Sequence, residues 1–166
     1  MPVRDRPFGA WGARFYGALG ALAGVLMAFL TLAVFLQVIL RYVARSGIEG
    51  LDEAPRYLFV WLVMLGAAAA MYWGEHTALD FFRGRMSSRG RALTKILTEG
   101  VGILLFLSMI KASLVLVPNS QLQSSPGLGL PLGYVYAAIP VGAALIILPM
   151  AWRLAAALRE LWQRPF

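Results

Sequence analysis

FYGALGALAGVLMAFLTLAVFLQVIL, residues 15–40, runs for 26 positions without a charged side chain. A membrane-spanning helix needs about 20 predominantly apolar residues, whereas a signal-peptide core has only about 7–15. The stretch therefore reads as a retained span, although Arg4, Arg6 and Arg14 precede it. Three more apolar runs follow, at residues 57–73, 93–117 and 132–152. The polar stretch LAAALRELW (154–162) is expected to continue the last helix past the membrane.

The composition agrees. Of 166 residues, 60% are hydrophobic and 14% charged. A soluble domain carries about 45–50% apolar and about 25% charged residues. That excess rules out a soluble enzyme, a nucleic-acid module and a disordered chain. Four spans consume about 80–100 residues. The expected fold is an all-α integral membrane protein, with residues 1–166 forming one four-helix domain. The absence of cysteine excludes disulfides, thiolate chemistry and cysteine-ligated metals.

The 15 basic residues predict the orientation. Three precede span 1 (Arg4, Arg6, Arg14), five lie between spans 2 and 3 (Arg83, Arg85, Arg89, Arg91, Lys95) and three follow span 4 (Arg153, Arg159, Arg164). The opposite side has Arg41, Arg45 and Arg56, offset by Glu49, Asp52 and Glu53. Lys111 falls inside span 3. The positive-inside rule places both termini and the middle loop in the cytoplasm. Trp11, Tyr16, Tyr72, Trp73 and Trp152 are expected to form an aromatic belt. Gly20 and Gly24 form a GxxxG pattern, and Gly66 with Ala70 a second small-residue face, both candidate helix contacts. Pro140 is expected to bend span 4 mid-membrane, and Pro149 near its cytoplasmic end.

Polar groups within the spans are few. Glu99 stands four residues after Lys95, the spacing of a surface pair, which is favoured over a proton relay. Lys111 is able to snorkel toward the outer headgroups or to pair with a partner subunit. His76, beside Glu75, has no companions from which to build a metal or haem site. No cofactor and no catalytic constellation is expected.

The segment IEGLDEAPRYLFVW (48–61) predicts a short polar helical segment opening span 2. Asp52 is a candidate N-cap, Glu53 favours the positive helix end, and Pro55 fits the first turn. Asp52 and Arg56 have i,i+4 spacing. Local capping and ion pairing explain that pattern. An outer polar cluster that docks a partner explains it too.

An ordered set of motifs resembles the DctQ-like family, the small membrane subunits of tripartite ATP-independent periplasmic (TRAP) transporters. They are QVILRYV (37–43), DEAPRYLFVWLVMLGAAAA (52–70), EHTALDFF (75–82) and QSSPGLGLPLGYVYAAIPVG (123–142). Leu51 and Pro55 depart from the family's usual residues, whereas Asp52, Glu53 and Arg56 match its pattern. The resemblance implies a scaffold subunit in the bacterial inner membrane, separate rather than fused at this length. Its implied partners are a large DctM-type subunit, a periplasmic binding protein and membrane lipids, with no nucleic acid. The implied activity is Na⁺-coupled uptake of an organic acid. It also raises Arg41, Asp52, Glu53 and Arg56, with Lys111, as candidate partner contacts. Two other classes remain: a stand-alone small four-span transporter, and the membrane anchor of a redox enzyme complex. The first needs an embedded carboxylate that span 1 lacks, and the second needs ligands the chain hardly offers.

Overall fold

A computed structural model describes residues 7–43, 50, 52–74 and 88–162. Its elements are α1 (Gly9–Tyr42), α2 (Glu53–Trp73), α3 (Ser88–Ser120), α4 (Gly133–Tyr136) and α5 (Ala138–Trp162). Four stretches, Gly9–Tyr42, Glu53–Trp73, Leu93–Ser120 and Gly133–Arg159, are long and apolar enough to cross a membrane. Helix is the expected solution, because hydrocarbon offers the backbone no hydrogen-bond partner and each segment must satisfy its own. The motif at 75–82, His76 within it, and Arg4, Arg6, Arg45, Glu49, Arg83, Arg85 and Arg164 lie outside the described residues.

α2 has 21 residues, about 32 Å at 1.5 Å per residue, close to the roughly 30 Å hydrocarbon thickness. α1 has 34 and α3 has 33, so each is about 50 Å long and must tilt or project. α2 stops at Gly74, whose left-handed backbone (φ 75°) turns its N–H onto the carbonyls of Ala70 and Met71 at 3.1 and 3.3 Å. α3 runs on through Pro118 to Ser120. The interruption in span 4 is at Ala137, between α4 and α5. Pro140 stands in the first turn of α5. It lacks the N–H that the Tyr136 carbonyl would accept, which accounts for a break one turn upstream.

The helices lie side by side in the order α1, α2, α5, α3, with α4 against α3 and α2. This is a layer, in which only α2 and α5 have main-helix neighbours on both sides. Toward the end bearing the chain termini, Tyr16, Ala68, Met71, Tyr72, Ile146 and Met150 form one buried cluster. Nearer the opposite, loop-bearing end, Met64, Ala138 and Ala143 form another. Tyr16 and Tyr72 are therefore core residues and not part of an aromatic belt. Their rings stack at 4.5 Å with planes 3° apart, and the Tyr16 hydroxyl donates to the Leu145 carbonyl at 2.8 Å. Such a pair contributes about 0.5–1.5 kcal/mol beyond burial. Trp11, Trp73 and Trp152 are exposed, as a belt requires.

Small residues set the α1–α2 approach. A β-carbon at Gly20 would lie 3.6 Å from that of Ala69, and one at Gly66 would lie 3.8 Å from that of Ala23. Gly24 meets nothing within 4 Å. The contact thus uses Gly20 and Gly66 but not the GxxxG pair as a unit.

Candidate functional site

The loop-bearing end holds a structure that links two distant parts of the chain. The Glu53 carboxylate, on the first turn of α2, accepts a hydrogen bond from the Ser125 hydroxyl at 2.5 Å. It also accepts from the backbone N–H groups of Gly127 (3.1 Å) and Leu128 (3.3 Å). The loop it holds is closed by its own backbone: Ser125 N–H donates to Leu130, Gly129 to Ser125 and Leu132 to Gln123, each at 2.9 Å. Gly127 packs on Gly50, where a β-carbon would meet the Gly50 Cα and N at 2.6 Å. Only glycine permits that approach. Gly50 itself has φ 88° and accepts from the N–H groups of Glu53 and Ala54 at 3.1 and 3.3 Å, completing the start of α2. The polar segment expected ahead of span 2 is thus continuous with the span.

Asp52 occupies the N-cap position, yet its side chain makes no cap hydrogen bond. It pairs with Arg56 at 2.9 Å, and Arg56 Nε also donates to the Asp52 carbonyl at 3.2 Å. Both side chains are exposed. The capping expectation fails because Gly50 already satisfies the first helix donors. Arg41, in the last turn of α1, is exposed and makes no hydrogen bond or ion pair with the described residues. Lys111 is exposed on α3 and likewise makes none with them. Of the five candidate contacts, the structure joins only Asp52 to Arg56. Glu53 is committed to the loop.

At the opposite end, Arg153 of α5 reaches two neighbouring helices. Its Nη2 donates to the carbonyls of Met71 and Tyr72, the latter at 3.1 Å, at the C-terminus of α2. Its Nη1 lies 3.7 Å from Glu99 Oε1 of α3, with both side chains largely buried. A cation is favoured at a helix C-terminus by the last carbonyls and the helix dipole. Glu99 is therefore tied across the layer to Arg153, and the Lys95 pair that its spacing suggests is not among the ion pairs of the described residues. Sequence reasoning missed Ser125, Gly127, Leu128 and this role of Arg153. The partners of Glu53 lie 72–75 positions away, and no periodicity couples them. The usable signals were the family-like stretch at 123–142 and the Gly/Ser/Pro-rich turn chemistry of SSPGLGLP (124–131) within it.

The carboxylate of Glu53 is occupied as an acceptor, and the Glu99–Arg153 pair is occupied with structure. The family model for the DctQ component of tripartite ATP-independent periplasmic transporters matches residues 30–164. The chain belongs to this family. It is 31% identical over 129 residues to a Haemophilus influenzae protein named as a TRAP transporter small permease, covering 78% of this chain and 80% of that protein. It is 34% identical over 91 residues to the C4-dicarboxylate TRAP transporter small permease protein DctQ of Rhodobacter capsulatus, covering 54% of this chain and 40% of that one. An uncharacterised Sinorhizobium fredii protein is 27% identical over 151 residues, which is 91% of this chain but 26% of that protein. The family is one of multi-pass transporter subunits, and the chain has four apolar helices long enough to span a membrane.

Proposed function

We propose that this chain is the scaffold subunit of a TRAP transporter in the bacterial inner membrane. It pairs with a large DctM-type subunit, helps receive a periplasmic binding protein, and thereby supports Na⁺-coupled uptake of an organic acid. Both termini lie in the cytoplasm, and residues 1–166 act as one membrane domain. The observation that carries this reading is the open layer of four helices. α1 and α3 leave most of their length uncovered, and the two described core clusters contain no charged side chain. A transporter that binds its own substrate needs convergent polar groups near the midplane. A scaffold needs helix faces and firm surface loops. The Glu53-fastened loop and the exposed Asp52–Arg56 pair make such a surface on the periplasmic side, with Arg41 on the same end of the layer.

The test is co-expression with a tagged large subunit, followed by uptake normalised to the complex recovered. The wild-type chain co-purifies. Arg56→Glu lowers uptake per complex, because reversing a charge at a contact adds repulsion. Failure of the wild-type chain to co-purify overturns the scaffold reading. Normal uptake per complex in Arg56→Glu removes that residue from the contact.

A further inference from the structure

The two outer helices of the layer, α1 and α3, differ in one respect. Both expose apolar side chains along their free sides, including Leu32 and Phe35 on α1 and Leu104, Leu107, Leu114 and Val115 on α3. Between Phe15 and Leu40 the α1 surface carries no charge, so lipid chains satisfy it fully. On α3 the stripe is interrupted by Lys111, which lies four residues after Leu107 and three before Leu114, on the same face. Lys111 is exposed and makes no hydrogen bond or ion pair with the described residues. Nine residues separate it from Ser120 at the helix end, about 14 Å along the axis. The Lys111 stem reaches toward the headgroups, but a charge on a lipid-facing apolar stripe is costly and is normally paired.

We propose that the α3 face centred on Lys111 is the surface on which the large subunit packs. A transmembrane helix of that subunit places a carboxylate against the Lys111 ammonium and apolar side chains over Leu107 and Leu114. The proposal rests on the scaffold reading above, since it requires a second membrane subunit. The charge selects the face: lipid tails cover α1 without loss, whereas on α3 a complementary acid removes the penalty of an unpaired cation.

Two measurements on the co-expressed complex test this. First, a photo-activatable residue at Leu107 or Leu114 cross-links to the large subunit, and one at Leu32 or Phe35 does not. Second, Lys111→Glu reduces the recovered complex at least about tenfold at unchanged membrane abundance of this chain, since it sets two acids against each other. Lys111→Leu reduces recovery severalfold, and Lys111→Arg retains it. Cross-links only from α1, or full recovery with Lys111→Leu or Lys111→Glu, overturn the proposed face while leaving the scaffold reading intact. No complex with the wild-type chain overturns both.

Discussion

Glu53 and Asp52 are neighbours in sequence and do different things. Glu53 fastens a loop more than seventy positions away, whereas Asp52 engages only Arg56 one turn on. Glu53→Ala removes the acceptor shared by Ser125, Gly127 and Leu128. Amide hydrogen exchange at Gly127 and Leu128 should therefore accelerate, with the interior of α2 unchanged. Asp52→Ala breaks one exposed pair and should cost under about 1 kcal/mol. It should leave exchange in the loop as it was. Equal exchange at Gly127 in the wild-type chain and Glu53→Ala would show that the carboxylate does not hold the loop. Sequence reasoning singled out both acids through their family-like spacing. It assigned the cap to Asp52, because it could not see that Gly50, with its left-handed backbone, supplies the acceptor for the first N–H groups of α2. Arg153 illustrates the same boundary: its charge was legible as a topology signal, but its bonds to α2 and α3 depend on how the helices lie together.

At the scale of the helix, existence and type were legible, because uninterrupted apolar runs of this length admit one backbone solution in lipid. Their ends were less so, as polar turns extend every helix beyond its apolar run. Packing faces were legible only in part. Gly20 and Gly24 are equivalent in sequence, yet only Gly20 faces α2. Gly20→Val should crowd Ala69 and lower the stability of the purified protein by about 1–3 kcal/mol. Gly24→Val meets open space and should change it by no more than about 0.5 kcal/mol. Thermal unfolding of the two variants in the same detergent decides this, and equal losses would contradict the α1–α2 register. Tyr16 and Tyr72 misled for a related reason. Their positions near span ends suit a belt, but the layer turns them toward each other.

For the whole molecule, the layer explains both what the protein lacks and what it offers. It buries two small clusters and leaves long apolar faces for lipid or a partner. Eleven of the 15 basic residues lie in the two terminal segments and the connection between spans 2 and 3. That asymmetry predicts the loop at 121–132 in the periplasm. In this cysteine-free chain, Leu122→Cys should react with an impermeant thiol reagent in intact cells whose outer membrane has been made permeable. Trp162→Cys should react only after the inner membrane is opened. Both positions are highly exposed, so access to the reagent is governed by the membrane. The reverse pattern would invert the orientation. The central claim is that this chain supports transport without conducting substrate itself. Its most direct test is uptake of radiolabelled organic acids, with their binding proteins and an inward Na⁺ gradient, into liposomes containing this chain alone or together with the large subunit. The scaffold account predicts no uptake above empty liposomes for the chain alone and uptake only when the large subunit is present. Saturable, Na⁺-dependent uptake by the lone chain would contradict it.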